Sequence, residues 1–132
     1  MVGGTSFAHL WGTSAIGGIV HGLLGVQPTA PGYRTFTIKP RMGGLAHASL
    51  RLPTLYGFIN VTATPSSLSI NVPCNTMAKA CILLPEALRS SRRNWTLVLD
   101  GEVIGAAREG LHLCSEAPVV CGVGGRDRVL AL

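Results

Sequence analysis

Phe58-Ile59-Asn60-Val61-Thr62-Ala63-Thr64-Pro65-Ser66-Ser67-Leu68-Ser69-Ile70-Asn71-Val72 decides the fold class. Ile59, Val61 and Ala63 alternate with Asn60 and Thr62, and Leu68, Ile70 and Val72 repeat the pattern after a Pro-Ser-Ser turn. A period of two puts the apolar set on one face of a strand. The stretch therefore predicts a hairpin with one dry face and one wet face.

The same reading extends in both directions. Towards the C-terminus, residues 77–84 are apolar almost throughout and predict another strand. Trp95, Leu97 and Leu99 alternate up to Asp100-Gly101, a strong two-residue hairpin signal, and Val103-Ile104 returns. Residues 111–114, 119–121 and 129–132 offer further short strands. Towards the N-terminus, residues 45–52 and 33–39 predict strands, the latter closed by Pro40. Seventeen Gly and eight Pro suit many turns, while 47% hydrophobic and 13% charged residues exclude disorder. Eight or nine short strands predict a mainly β fold, an antiparallel β-sandwich.

One segment has the other period. Ile16, Ile19, Val20, Leu23 and Leu24 line one face of a short N-terminal helix over residues 14–24. Gly25 stands where a left-handed C-terminal residue belongs. The opposite face carries Gly17, Gly18, His21 and Gly22. Each interior glycine costs about 1 kcal/mol relative to Ala, so the helix requires a packing partner that the rest of the chain does not supply. Gln27-Pro28-Thr29-Ala30-Pro31-Gly32 reads as a linker. The expected division is residues 1–27, a terminal segment with the helix, and residues 28–132, the sandwich.

Charge narrows the function. The net charge is +5, yet residues 1–85 contain no Asp or Glu; all six acids (Glu86, Asp100, Glu102, Glu109, Glu116 and Asp127) lie in the last third. Arg34, Lys39, Arg41 and Arg51 are scattered, and the run of Arg89, Arg92 and Arg93 reads as a solvated loop. With 5% aromatic residues there is no basic stripe for nucleic acid, and none is expected as a partner. Residues 1–33 lack charge, but His9, Ser14, His21 and the seven glycines up to Gly25 interrupt them. The apolar run falls short of the roughly 20 residues a spanning helix needs, so no membrane partner is expected.

Hydrolysis of a glycosidic bond needs two flanking carboxyl groups. Residues 1–85 cannot supply such a pair, and the later acids are spread along strands and turns, so no catalytic residue is assigned. No serine sits in a G-x-S-x-G elbow. His9, His21, His47 and His112 lack metal-ligand spacing, and neither a metal nor a cofactor is expected. His47 and His112 read as ordinary strand positions. Cys74, Cys81, Cys114 and Cys121 read as buried free thiols; a Cys74–Cys81 or Cys114–Cys121 bridge is the alternative in a secreted protein. Asn60-Val61-Thr62 and Asn94-Trp95-Thr96 match the glycosylation sequon, Asn94 being the better placed. In Thr5-Ser6-Phe7-Ala8-His9-Leu10-Trp11-Gly12, His9 and Trp11 offer a hydrogen-bonding imidazole and an apolar plate for a pyranose, although a packed tryptophan beside a loop is the commoner outcome of such a segment.

Ser6-Phe7-Ala8-His9-Leu10-Trp11-Gly12 resembles the S-x-x-H-x-W-G segment near the end of the catalytic domain of bacterial-type α-L-rhamnosidases. Residues 23–33 are similar to that family's helix end and linker. Phe36-Thr37-Ile38-Lys39-Pro40, Leu45-Ala46-His47-Ala48 and Pro53-Thr54-Leu55-Tyr56-Gly57 resemble its first two C-terminal strands and the following turn. The likeness is specific over residues 5–64 and general beyond. It implies the last helix of a six-hairpin (α/α)6 barrel followed by a C-terminal β-sandwich. It also implies a parent enzyme that hydrolyses terminal α-L-rhamnose with inversion and without a cofactor, with His9 contacting the rhamnose and Trp11 helping to form the pocket wall of the substrate site. The family's acid and base lie on barrel segments ahead of this motif. The chain is therefore expected to be a fragment, missing the upstream barrel helices as partners and inactive alone. The alternative is a freestanding, non-catalytic β-sandwich that binds carbohydrate or a protein partner.

Overall fold

The structure, a computed structural model, describes residues 14–89, 96–122 and 128–132. Its strands are β1 (Val26–Pro28), β2 (Thr35–Ile38), β3 (Ala48–Thr54), β4 (Gly57–Ala63), β5 (Ser67–Asn71), β6 (Met77–Leu83), β7 (Leu97–Leu99), β8 (Glu102–Ile104), β9 (Ala106–Glu109), β10 (His112–Ser115) and β11 (Arg128–Ala131). They form a five-stranded sheet, β1-β2-β6-β10-β9, and a six-stranded sheet, β3-β4-β5-β11-β7-β8. The expected mainly β, antiparallel-dominated fold is present, with one exception: β2 and β6 run parallel.

Alternation drives the assembly. Ile59, Val61 and Ala63 on β4 and Leu68 and Ile70 on β5 are buried, as the two-residue period requires. They join Phe36 and Ile38 from β2, and Ala78, Ala80 and Ile82 from β6, in one cluster between the sheets. Burying each of the larger side chains is worth about 1.5–3 kcal/mol. At the β7–β8 turn, Asp100 has φ 52° and Gly101 φ 89°, the positive pair that a type I′ hairpin needs. The Asp100 carboxylate accepts the Val129 N–H at 2.7 Å and pairs with Arg128, which ties this hairpin to β11.

The N-terminal helix begins as α1 (Ser14–Gly17) and continues as a π-helix over Gly18–Leu23. The wider turn changes which side chains share a face. Val20 and Leu24 reach the core, while Ile16 and Ile19 stay 62% and 46% exposed. Gly25 turns the chain at φ 63°; a Cβ there would lie 2.1 Å from the Lys39 carbonyl oxygen. The segment read as a linker is structured: β1 pairs with β2 in the register Val26↔Ile38, and Pro31–Tyr33 forms a 3-10 turn. Strand β1 thus crosses the boundary placed at residue 27, and Val20, Leu24 and Val26 share the sandwich core.

Three local readings change. Residues 45–47 precede β3 instead of extending it, because the partner strand β4 runs out at Ala63, opposite Ala48; His47 is exposed there. Val119 makes a single bridge to Ala78 and no strand. Among the cysteines, Cys81 and Cys114 are bonded to each other across β6 and β10, with Cα atoms 4.0 Å apart, which replaces both bridges offered from sequence. Cys74 and Cys121 are free.

Candidate functional site

Two connected clefts open where the five-stranded sheet meets the segment after β2. One, of about 570 Å³, is lined by Lys39, Arg41, Leu83, Arg89, Glu109 and His112, among others. The other, of about 230 Å³, lies between the sheets and includes Met42, Thr64, Leu68, Ile82, Glu86 and Arg89 in its wall. Gly43, Leu83 and Arg89 border both.

Strand pairing brings these residues together from distant positions. Thr37 on β2 pairs with Lys79 on β6, and Glu109 on β9 pairs with His112 on β10, so the two lysines and the glutamate converge across the sheet. Glu109 bridges Lys39 and Lys79. Its hydrogen bonds to Lys39 first, and then to Lys79, hold its carboxyl down to a pKa of about 2. His112 is buried, and its Nε2–H donates to the Pro40 carbonyl at 2.9 Å. Burial is the main reason its pKa lies below the ordinary value, with the charges of Lys39 and Arg41 adding to the effect. Arg89 donates from Nε to the Leu84 carbonyl at 2.9 Å, and Arg108 Nη2 donates to the Arg89 carbonyl at 2.8 Å, which fixes the cleft's far wall.

This arrangement favours holding an anion or a cluster of hydroxyls over transferring a proton. A general acid must keep its proton near neutral pH, so its pKa is normally raised. That of Glu109 is shifted the opposite way. Each cleft has one carboxylate among its described lining residues, Glu109 or Glu86. Asp100 is engaged with Arg128 and the Val129 amide. No group of three His, Cys, Asp or Glu that could hold a metal ion occurs among the described residues, and no helix there is long and apolar enough to cross a membrane.

His9 and Trp11, the sugar-contacting residues expected from the sequence, lie outside the described residues, as does Asn94. His21 is a structural group: its Nδ1–H donates to the Val26 carbonyl at 2.9 Å and pins the helix to β1. Asn60 sits half-buried in β4, paired with Arg51 and Asn71. The Lys39–Lys79–Glu109–His112 cluster was not anticipated. Its signal was Glu109-Gly110-Leu111-His112: a turn there sets the acid opposite the imidazole, and Gly110 has the positive φ that such a turn uses.

The sequence model of the bacterial alpha-L-rhamnosidase C-terminal domain matches residues 25–94. Among solved structures, alpha-L-rhamnosidase from Dictyoglumus thermophilum superposes with a TM-score of 0.68 at 17% identity, over 92% of this chain and 14% of that one. Streptomyces avermitilis alpha-L-rhamnosidase complexed with L-rhamnose does so with a TM-score of 0.60 at 19% identity, over 86% of this chain and 10% of that one. At these identities the likeness is one of fold, and the chain spans only a tenth to a seventh of each enzyme. None of the curated proteins matches.

Proposed function

The chain belongs to the bacterial alpha-L-rhamnosidase C-terminal domain family, and on that premise we propose that it is the C-terminal part of a rhamnosidase-like glycoside hydrolase and does not cleave glycosides by itself. The parent reaction in this reading is inverting hydrolysis of terminal α-L-rhamnose. In this reading the residues ahead of β1 are the end of its helical barrel, and His9 contacts the sugar while Trp11 helps form the pocket wall once the upstream helices complete the pocket.

The observation that carries the reading is that Glu109, the acid best placed on a cleft, is paired with both Lys39 and Lys79 and has no second carboxylate beside it among that cleft's described lining residues. Inversion requires one carboxyl group to hold a proton and a second, roughly 6.5–9.5 Å away, to activate water. Glu109 is clamped ionised between Lys39 and Lys79. The open helix face agrees with missing neighbours: among the described residues, nothing lies within 4 Å of where side chains at Gly17, Gly18 or Gly22 would begin.

The test is an assay of the purified 132-residue chain on an aryl α-L-rhamnoside. No turnover above buffer is expected. Turnover that disappears in Glu109→Gln or Glu86→Gln would overturn the reading.

A second reading, the freestanding non-catalytic binding module, is favoured by the basic cleft and the self-contained core. It requires a saturable saccharide isotherm that Arg41→Ala weakens. Without saturable binding that reading fails.

A further inference from the structure

Cys81 and Cys114 stand directly opposite on β6 and β10 and are bonded. The two free cysteines are placed symmetrically about them: Cys74 seven residues before Cys81, and Cys121 seven residues after Cys114. In an antiparallel pair, equal steps in opposite directions from a matched pair arrive opposite one another. Here the ladder pauses after Ser115 and resumes at a bridge slipped by two residues. The Ala78 N–H donates to the Val119 carbonyl at 2.8 Å, and the Val119 N–H donates to the Ala78 carbonyl at 2.7 Å. By that register Cys121 faces Thr76.

The turn at residues 73–76 makes up the difference. The Thr76 N–H and hydroxyl both donate to the Pro73 carbonyl, and Asn75 adopts φ 67°. The turn leaves Cys74 two residues from Thr76, the position Cys121 faces, and the two cysteine side chains lie close enough to interact. Cys74 is exposed and Cys121 half-buried, so a reagent can reach the pair.

We propose that Cys74 and Cys121 form a second cystine site, which closes by exchange with a low-molecular-weight disulfide such as oxidised glutathione. The Cys74 thiolate attacks one sulfur of the reagent and displaces one small thiolate. The Cys121 thiolate then attacks the Cys74 sulfur and displaces the second. Two protein S–H bonds and the reagent's S–S bond are exchanged for one protein S–S bond and two small-molecule thiols, so the protein sulfurs are oxidised as the reagent is reduced. The hydrogen bond to Cys121 and burial raise the Cys74 pKa, so the first step quickens as the pH rises. Closure places two cross-links on one pair of neighbouring segments and fixes the 73–76 turn.

The experiment uses the full chain. It is incubated with oxidised glutathione, remaining thiols are alkylated, and the protein is cut after Lys79 and Glu116, which separates the inner cysteines from the outer ones. The expected result is a Cys74–Cys121 linked peptide beside the Cys81–Cys114 pair. The melting temperature should rise by about 3–5 °C, and Cys121→Ser should abolish the rise and leave Cys74 as a glutathione adduct. Separate adducts on Cys74 and Cys121 in the unsubstituted chain, or links joining Cys74 to Cys81 and Cys114 to Cys121, would overturn the proposal.

Discussion

The β4–β5 hairpin and the N-terminal helix are both written in apolar residues at regular intervals, yet among the described residues only the hairpin has its apolar face fully covered. Ile59, Val61, Leu68 and Ile70 are all buried against the opposite sheet. On the helix, Val20 and Leu24 are buried, whereas Ile16 and Ile19 face out and three glycines leave open space on the surface. Periodicity defines which face is apolar; it does not guarantee that the same chain covers that face. The sandwich closes on itself, and among the described residues the helix joins it through Val20, Leu24 and the His21 bond to β1.

The contrast can be broken most forcefully in the sandwich. Ile70→Ala removes a fully buried side chain from the central cluster and should cost about 2–5 kcal/mol of unfolding free energy, read from urea denaturation. A loss under 1 kcal/mol would mean the two sheets are not packed as described. Gly25→Ala sharpens the join between the regions. Its positive φ and the Lys39 carbonyl 2.1 Å from the added Cβ predict a loss of about 2 kcal/mol or more. An unchanged urea midpoint would show that the helix end is not held against β2.

Acidification probes the sandwich edge in two stages. Burial lowers the His112 pKa in the folded chain, so the unfolded chain binds a proton more readily. That contribution is intact above the ordinary histidine pKa of about 6.5 and falls away as the pH drops towards the folded value. The Glu109 pKa is lowered to about 2 by Lys39 and Lys79. Its contribution is present above the ordinary value of about 4.3 and is lost as the pH falls towards 2. Urea midpoints against pH should show both stages, and His112→Gln should remove only the first. The smallest effect belongs to the helix: Ile16→Ser should stay within about 0.5 kcal/mol, and a larger loss would reveal a partner surface inside the chain.

The sandwich was legible because strand alternation is a local signal. Ile59 to Val72 and the Asp100-Gly101 turn carried their own registers. The parallel pairing of β2 with β6 was not legible, since nothing in residues 35–38 or 77–83 reports which strand lies beside them. The Cys81–Cys114 bond was missed for the same reason: it follows from β6 pairing with β10, and their sequence separation of 33 hides it. The basic cleft was hidden in the same way, because Lys39, Lys79 and Glu109 are far apart in sequence and meet only across the four neighbouring strands β2, β6, β10 and β9. On the helix, the reading of one continuous buried face holds at Val20 and Leu24, while Ile16 and Ile19 stay exposed. The proposed sugar contacts, His9 and Trp11, rest on the motif that carries the family resemblance.

Amide hydrogen exchange followed by mass spectrometry on the whole chain weighs helix against sandwich most directly. Peptides covering residues 14–23 should exchange at least tenfold faster than those covering β4, β5 and β6, because their opening exposes little buried surface. Equal protection in both regions would contradict the account, since the helix would then be as fully packed as the core.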